Sequence, residues 1–284
     1  MEERRNQLRI TEMLSRAFNL CKTNILEISK IVGIFIIPAM IIPIIVFATL
    51  AMTVFFSISI YSGSNLERMF GALGVGSILL IIVLIALATV VSLFGTLIIT
   101  KILDDANKGK QISWKSATGY VWNKIWNIIG LNLLVWLILF GTLFTVIVLS
   151  GLLIIVTFGI GAIIAIPFLV AVIVMVIPLS SLFNSMFIVN ELGITDSIKE
   201  TFRLFKRGHF WATIGKLSAI SGIYIGVSIV LGIFQVLPII GFIVTIVGRI
   251  IMSIYTICYL NIFVLDRMKP NNNLLGDNFI DPII

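Results

Sequence analysis

ILLIIVLIALATVV at residues 78–91 and IAIPFLVAVIVMVI at residues 164–177 decide the fold class of this chain. Neither run contains a charged residue, and neither alternates polar and apolar residues as the strands of a membrane barrel do. Because only helices and closed barrels satisfy the backbone in lipid, we interpret both runs as transmembrane helices. Six stretches supply the roughly 20 apolar residues that a spanning helix needs, and they cover about 31–60, 75–100, 126–155, 162–189, 211–234 and 240–264.

The composition of the whole chain leads to the same fold class. Of its 284 residues, 59% are hydrophobic and 12% are charged, whereas soluble domains are about half apolar and about a quarter charged. The chain contains one histidine, 13 acidic residues and two cysteines, Cys21 and Cys258. Zinc sites and Cys/His relays need clustered ligands. We therefore predict an all-α integral membrane protein with six transmembrane helices that is not an enzyme and has no catalytic residues, no metal site and no cofactor.

Lysine and arginine are distributed unevenly over the connections between the six stretches. Residues 1–30, 101–125 and 190–216 together hold 16 of the 20 basic residues, and the tail beyond 265 holds two more. Because an excess of Lys and Arg marks cytoplasmic loops, we expect both termini to be cytoplasmic. The prediction is a single membrane domain over 1–267 in a cytoplasmic membrane, followed by a polar cytoplasmic tail at 268–284. Both cysteines then lie near the reducing side, so no disulfide is expected.

Residues 10–22 and 194–206 have isoleucine, threonine, an acid, phenylalanine, leucine and lysine at the same offsets, and residues 112–124 match them more weakly. Their apolar residues follow the helical period, and Thr11, Ser113 and Thr195 are suitable N-caps. We interpret the segments as amphipathic helices lying on the inner leaflet, each preceding two spans, so that repeats would cover 10–100, 112–190 and 194–265. The alternative is that they are short cytoplasmic extensions of the next span, packed on neighbouring helices.

These segments also carry the basic residues that would meet lipid. Lysine and arginine can extend their charged ends to the headgroup level while their stems stay in apolar surroundings, and anionic lipids attract them. The candidate contacts to inner-leaflet headgroups are Arg16, Lys22, Lys124, Lys199, Arg203, Lys206 and Arg207.

A family resemblance rests on the third of these segments. From Met186 to Trp211 an apolar span ends in a small acidic turn at Glu191, and residues similar to D-S-I-K-x-[ST]-x-x-L-F-K-x-x-F-W follow. This run resembles the membrane domain that accompanies some bacterial glycerophosphoryl diester phosphodiesterases, and its stand-alone relatives without assigned activity. The chain has no room for the phosphodiesterase domain, and its single His209 could not serve one. The resemblance therefore implies a bacterial membrane protein that corresponds to the membrane module alone.

Several other residues allow two interpretations each, one functional and one structural. Asp104-Asp105 could hold a metal, but we expect a solvated turn there. His209 has no nucleophile or acid near it in sequence and suits an interfacial aromatic belt. Gly71, Gly74 and Gly76 read as turn glycines rather than as part of a phosphate loop. The small residues on one face of the fifth span, which serve packing within the chain or between protomers, are Gly215, Ala219, Gly222 and Gly226.

Polar side chains are rare within the six stretches. No Asp or Glu lies inside them, Lys216 is near enough to the inner surface to reach it, and only Arg249 is deep. The candidate contacts to an anionic group or a lipid are Arg249, Asn132, Asn184 and Gln235. Arg249 either binds a phosphate or carboxylate in a crevice, or it bonds to helix carbonyls, to these three amides or to Glu67.

Two functions follow from this pattern. The first is a membrane scaffold or lipid-interacting module whose partners are membrane lipids with anionic headgroups on the cytoplasmic side. The alternative is a transporter or channel for a small or lipidic, anionic substrate. No nucleic acid is expected as a partner, since the positive charge is explained by topology. A second copy of the chain or another membrane protein is the protein partner that the packing face suggests.

Overall fold

A computed structural model describes residues 8–60, 66–205 and 210–268, with the backbone alone over 53–60 and 66–78 and at residues 174, 177, 238, 239 and 268. The described residues form helices and contain no β-strand. The helices are α1 Ile10–Thr23, α2 Ile25–Ile31, α3 Ile37–Ile60, α4 Leu66–Asn107, α5 Trp114–Asn123, α6 Ile125–Val156, α7 Ala162–Val189, α8 Ile194–Arg203, α9 Phe210–Phe234 and α10 Pro238–Met268, with a π-helical segment at Val32–Ile36 between α2 and α3.

Six of the helical stretches in the described residues are long and apolar enough to cross a membrane, which confirms the predicted number of spans. They are Ile25–Met52, Leu79–Asn107, Ile125–Val156, Ala162–Val189, Phe210–Phe234 and Ile240–Arg267. The prediction of a turn at Gly71, Gly74 and Gly76 is wrong, because all three lie inside α4. Glycine is common in transmembrane helices, and a continuous helix satisfies the backbone hydrogen bonds that a turn would leave open.

The chain divides into two compact units, and one of them comprises residues 24–125. In this unit α4 packs along α3, the π-helical segment and α5. The π-helical segment ends two residues before Pro38, and its wider turn accommodates a ring that would otherwise clash with the preceding turn. Gly95 allows α4 to approach closely, since a Cβ there would lie 2.8 Å from the Cβ of Phe35.

The other unit comprises residues 1–23 and 126–284. Helix α10 packs against α1, α7 and α9, and α7 also contacts α8 and α9. Its core contains fully buried aromatic side chains, Phe183 and Phe187 of α7 with Tyr259 and Phe263 of α10. The single domain predicted over 1–267 stays a prediction, and residues 269–284 of the predicted tail lie outside the described part of the chain.

Two of the three short helices, α1 and α8, begin one residue earlier than the predicted N-caps imply. Thr11 and Thr195 lie inside α1 and α8, so both N-cap assignments are wrong. Glu12, in the first turn of α1, accepts a hydrogen bond of 3.0 Å from the backbone N–H of Arg9. Ser113 does occupy the N-cap position of α5, but its side chain makes no capping hydrogen bond.

Candidate functional site

A buried ion pair joins α9 to α10. Lys216 Nζ lies 2.9 Å from Asp266 Oδ2, and the two side chains are 8% and 0% exposed. The second oxygen of Asp266 accepts a hydrogen bond of 3.1 Å from the backbone N–H of Leu8, two residues before α1 begins. Tyr259 fixes the lysine end by donating its hydroxyl to the carbonyl of Lys216 at 2.9 Å.

This pair corrects two expectations. Lys216 does not extend toward the headgroups but is buried against an acid 50 positions away. The helix of the sixth span also continues beyond residue 264 and includes Asp266, so an acid does lie within a span. The physical reason is that a lysine and an aspartate placed on neighbouring helices neutralise each other, and each then tolerates burial that neither would tolerate alone.

Asp104 is the centre of a second buried cluster, in the unit of residues 24–125. Its Oδ2 lies 2.8 Å from Lys108 Nζ and 3.4 Å from Lys101 Nζ, and the side chain is fully buried. Lys101 Nζ also lies 3.0 Å from Asp105 Oδ1. The predicted solvated turn is wrong, because α4 continues to Asn107 and spacings of three and four residues bring these charges onto one helix face.

Tyr120 of α5 is flanked by two of the basic residues. Lys101 Nζ lies 4.7 Å and Lys124 Nζ 4.6 Å from the centre of its ring, which is within the range of a cation–π interaction. Lys124 also donates a hydrogen bond of 2.8 Å to the Tyr120 hydroxyl. Lys124, a candidate headgroup contact, is therefore already engaged within the protein.

Exposed charge in the described part of the chain is mostly basic. Only three acidic residues there are exposed, Glu12, Glu191 and Asp196. The ten exposed basic residues are Arg9, Arg16, Lys22, Lys30, Lys108, Lys110, Lys115, Lys199, Arg203 and Arg249.

Four of the predicted headgroup contacts belong to this exposed set: Arg16, Lys22, Lys199 and Arg203. Arg203 additionally forms an ion pair of 3.1 Å with Glu200, and these side chains are 73% and 30% exposed. The remaining candidates, Lys206 and Arg207, lie outside the described residues, as does His209.

The four polar residues predicted to share an anion site do not form one cluster. Asn132 of α6 and Asn184 of α7 bond to each other twice, with N–O distances of 3.0 and 3.2 Å, and Asn132 also donates to the carbonyl of Ile128. Gln235 is exposed at the end of α9.

Arg249 is exposed on α10, and no hydrogen bond or ion pair joins it to any described residue. The side chain of Glu67, the acid that Arg249 was expected to reach, lies outside the described side chains. A ligand at Arg249 stays a prediction.

The three glycines on the small-residue face of α9 have open space around them in the described structure. A Cβ added to Gly215, Gly222 or Gly226 would meet nothing within 4 Å among the described residues. Packing of this face within the described chain is therefore not observed, and packing between protomers stays a prediction.

The two cysteines, 237 positions apart in sequence (258 minus 21), come together between α1 and α10. Cys21 is half-buried and Cys258 is buried. A hydrogen bond from the Cys258 thiol stabilises the Cys21 thiolate and lowers the pKa of Cys21. Hydropathy contains no signal for this contact, and sequence analysis missed it together with the two buried ion clusters.

Among residues 8–60, 66–205 and 210–268, no group of three or more His, Cys, Asp or Glu side chains could hold a metal ion. The arrangement instead combines neutralised internal charges with exposed basic ones. Comparison with protein-family models, curated proteins and solved structures finds no match for the chain.

Proposed function

We propose that this protein is a lipid-interacting module of a bacterial cytoplasmic membrane, without catalysis of its own, that binds anionic headgroups at its cytoplasmic face. The observation that carries the proposal is the different burial of acids and bases. Asp104 and Asp266 are buried in ion pairs, whereas the exposed charges of the described part are mostly lysine and arginine.

Burying the acids changes what the membrane surface meets. Each Lys or Arg near an anionic surface contributes about 1 kcal/mol of attraction, which falls off within a Debye length. An exposed carboxylate beside it would cancel that contribution. Asp104 and Asp266 are buried. Their negative charges therefore do not reduce the attraction between the exposed basic side chains and anionic headgroups.

In this proposal the short helices α1, α5 and α8 lie at the cytoplasmic interface of the membrane, and both termini of the chain are cytoplasmic. Helix α1 packs on α10, α5 packs on α4, and α8 packs on α7. In each case a short helix that bears exposed basic residues is held against the end of a long one. This recurrence supports three helix-plus-hairpin repeats, and it supports amphipathic helices at the inner leaflet over simple extensions of the spans.

The resemblance to the membrane domain found beside glycerophosphoryl diester phosphodiesterases is compatible with this role. The run that carries it covers the end of α7, the whole of α8 and the start of α9, where Lys199 and Arg203 are exposed. The alternative, a transporter or channel for an anionic substrate, rests on Arg249 alone, because Asn132 and Asn184 bond to each other.

Exchange of lipid in mixed micelles tests the proposal. The full chain is equilibrated with phosphatidylglycerol and phosphatidylcholine of matched acyl chains, and retained lipids are quantified by native mass spectrometry. We expect the Lys22→Gln/Lys199→Gln variant to lose preference for phosphatidylglycerol by up to about fivefold per residue, the equivalent of about 1 kcal/mol each.

The matched control changes exposed charge in the opposite direction. Glu12→Gln/Asp196→Asn removes two exposed acids from the same two helices and should raise the preference, and added salt should diminish both effects. An unchanged preference in the lysine variant, or the same change in both variants, would contradict binding through these basic side chains.

A further inference from the structure

The two cysteines of the sequence lie on α1 and α10, two helices that pack against each other, and a hydrogen bond joins their thiols. A buried residue touches roughly 6–12 others, so two given residues of a 284-residue chain are in contact by chance in a few per cent of cases, on the order of 10 in 283. Cysteine also differs from the other apolar residues of the core in its redox chemistry. The contact therefore suggests a redox role for the two thiols in addition to their packing in the core.

Each thiol lies on the face of its helix that packs against the other helix, α1 against α10. Met13 and Ala17 precede Cys21 at steps of four residues, which places the three on one face, and both are fully buried. Tyr255 donates its hydroxyl to the carbonyl of Leu14 at 3.1 Å. Cys258 follows Tyr255 by three residues, on the same face of α10.

The two thiols also differ in access and reactivity. Cys21 is half-buried and Cys258 is buried, so a small oxidant reaches Cys21 first. The hydrogen bond from Cys258 lowers the pKa of Cys21, and the thiolate is the reactive form of cysteine. An attacking cysteine beside a protected partner is the usual arrangement of a reversible redox pair.

We propose that Cys21 and Cys258 form a reversible disulfide that fastens α1 to α10 under oxidising conditions. With a hydroperoxide as oxidant, the Cys21 thiolate attacks the peroxide oxygen, which gives a sulfenic acid and releases water or an alcohol. The Cys258 sulfur then attacks the sulfenic sulfur, the S–S bond forms, and a second molecule leaves as water. Two thiols are oxidised and one peroxide bond is reduced.

The pair is a dithiol at rest if it lies on the reducing side of the membrane, where disulfides are transient and redox-sensing. Its oxidation would hold α1 in place beside the Lys216–Asp266 pair, because Leu8, two residues before α1, already bonds to Asp266. Formation of this disulfide does not require lipid binding.

Thiol counting tests the proposal on the full chain in native membranes. The protein is treated with hydrogen peroxide or, separately, with diamide, then denatured in SDS and reacted with a polyethylene-glycol maleimide. We expect two adducts before oxidation and none after it, a monomer on the gel, an intact mass lower by two hydrogen atoms, and recovery of both adducts with dithiothreitol. Cys21→Ser and Cys258→Ser should each keep their one adduct in diamide.

Three results would overturn the disulfide: two adducts persisting after both oxidants, oxygen added to the mass without loss of hydrogen, or a disulfide-linked dimer. Amide hydrogen exchange tests the fastening separately. Oxidation should slow exchange over residues 10–23 in the native sequence and leave it unchanged in Cys21→Ser. Equal exchange before and after disulfide formation would show that the bond does not restrain α1.

Discussion

The buried pair of Lys216 and Asp266 allows a quantitative test of the fold. Breaking a buried pair by removing one partner costs about 3–5 kcal/mol, because the other charge stays buried without compensation. Asp266→Asn keeps an oxygen for the Leu8 N–H, so its cost reports the charge alone. Asp266→Ala removes that acceptor as well, and we expect about 1 kcal/mol more.

Removing both charges should restore most of the stability. Replacing a buried ion pair by hydrophobic residues of similar volume is often neutral or stabilising, so Lys216→Met/Asp266→Leu should unfold within about 2 kcal/mol of the parent. Two single losses of about 3–5 kcal/mol would sum to roughly 6–10 kcal/mol if they were independent. The difference is the coupling that the 2.9 Å contact predicts.

Unfolding by SDS in mixed micelles measures these energies. The buried thiol of Cys258, in a Cys21→Ser background, reports unfolding through its reaction with a maleimide dye. Arg203→Gln is the matched control, since it breaks an ion pair whose side chains are 73% and 30% exposed and should cost at most about 1 kcal/mol. Asp266→Asn unfolding like the parent, or a double variant that loses the full sum of the single losses, would show that Lys216 and Asp266 do not stabilise each other in the buried pair.

Two further predictions follow from the geometry and the charge distribution. Asn132→Leu or Asn184→Leu should each lower the unfolding free energy by about 1–2 kcal/mol, and the double variant should cost less than the sum; additive losses in the same SDS titration would show that the two amides do not depend on each other. In a chain with both native cysteines replaced by serine, Lys110→Cys and Glu200→Cys should resist an impermeant maleimide added outside intact cells, and efficient labelling from outside would contradict the cytoplasmic placement.

The sequence predicts the spans well and their ends poorly. Hydropathy identifies all six apolar helices because each satisfies its own backbone hydrogen bonds. It ends the second span near residue 100, although α4 continues to Asn107, because Lys101 and Asp104 read as polar residues of a loop. Their mutual neutralisation on one helix face is invisible to an average over residues.

The sequence predicts those features of the candidate site that depend on one residue and its position on a helix. The exposed basic residues of α1 and α8, such as Lys22 and Lys199, follow from helical periodicity and charge. The partners of Lys216, Asn132 and Cys21 lie 50 or more positions away. Such pairings depend on which helices become neighbours, and hydropathy does not contain that information.

The contact of α1 with α10 has a consequence for how the protein is made. The Leu8 amide and Asp266 are 258 positions apart, so at about 5–20 residues per second the partner of α1 is synthesised roughly 13–50 seconds after α1 itself. Residues 24–125 form a compact unit that is complete long before then. Helix α1 must therefore wait for α10 to be synthesised before the two can pack together. A chain that stops short of α10 leaves α1 without its docking surface, so the buried side chains of Met13 and Ala17 would be exposed until α10 is present.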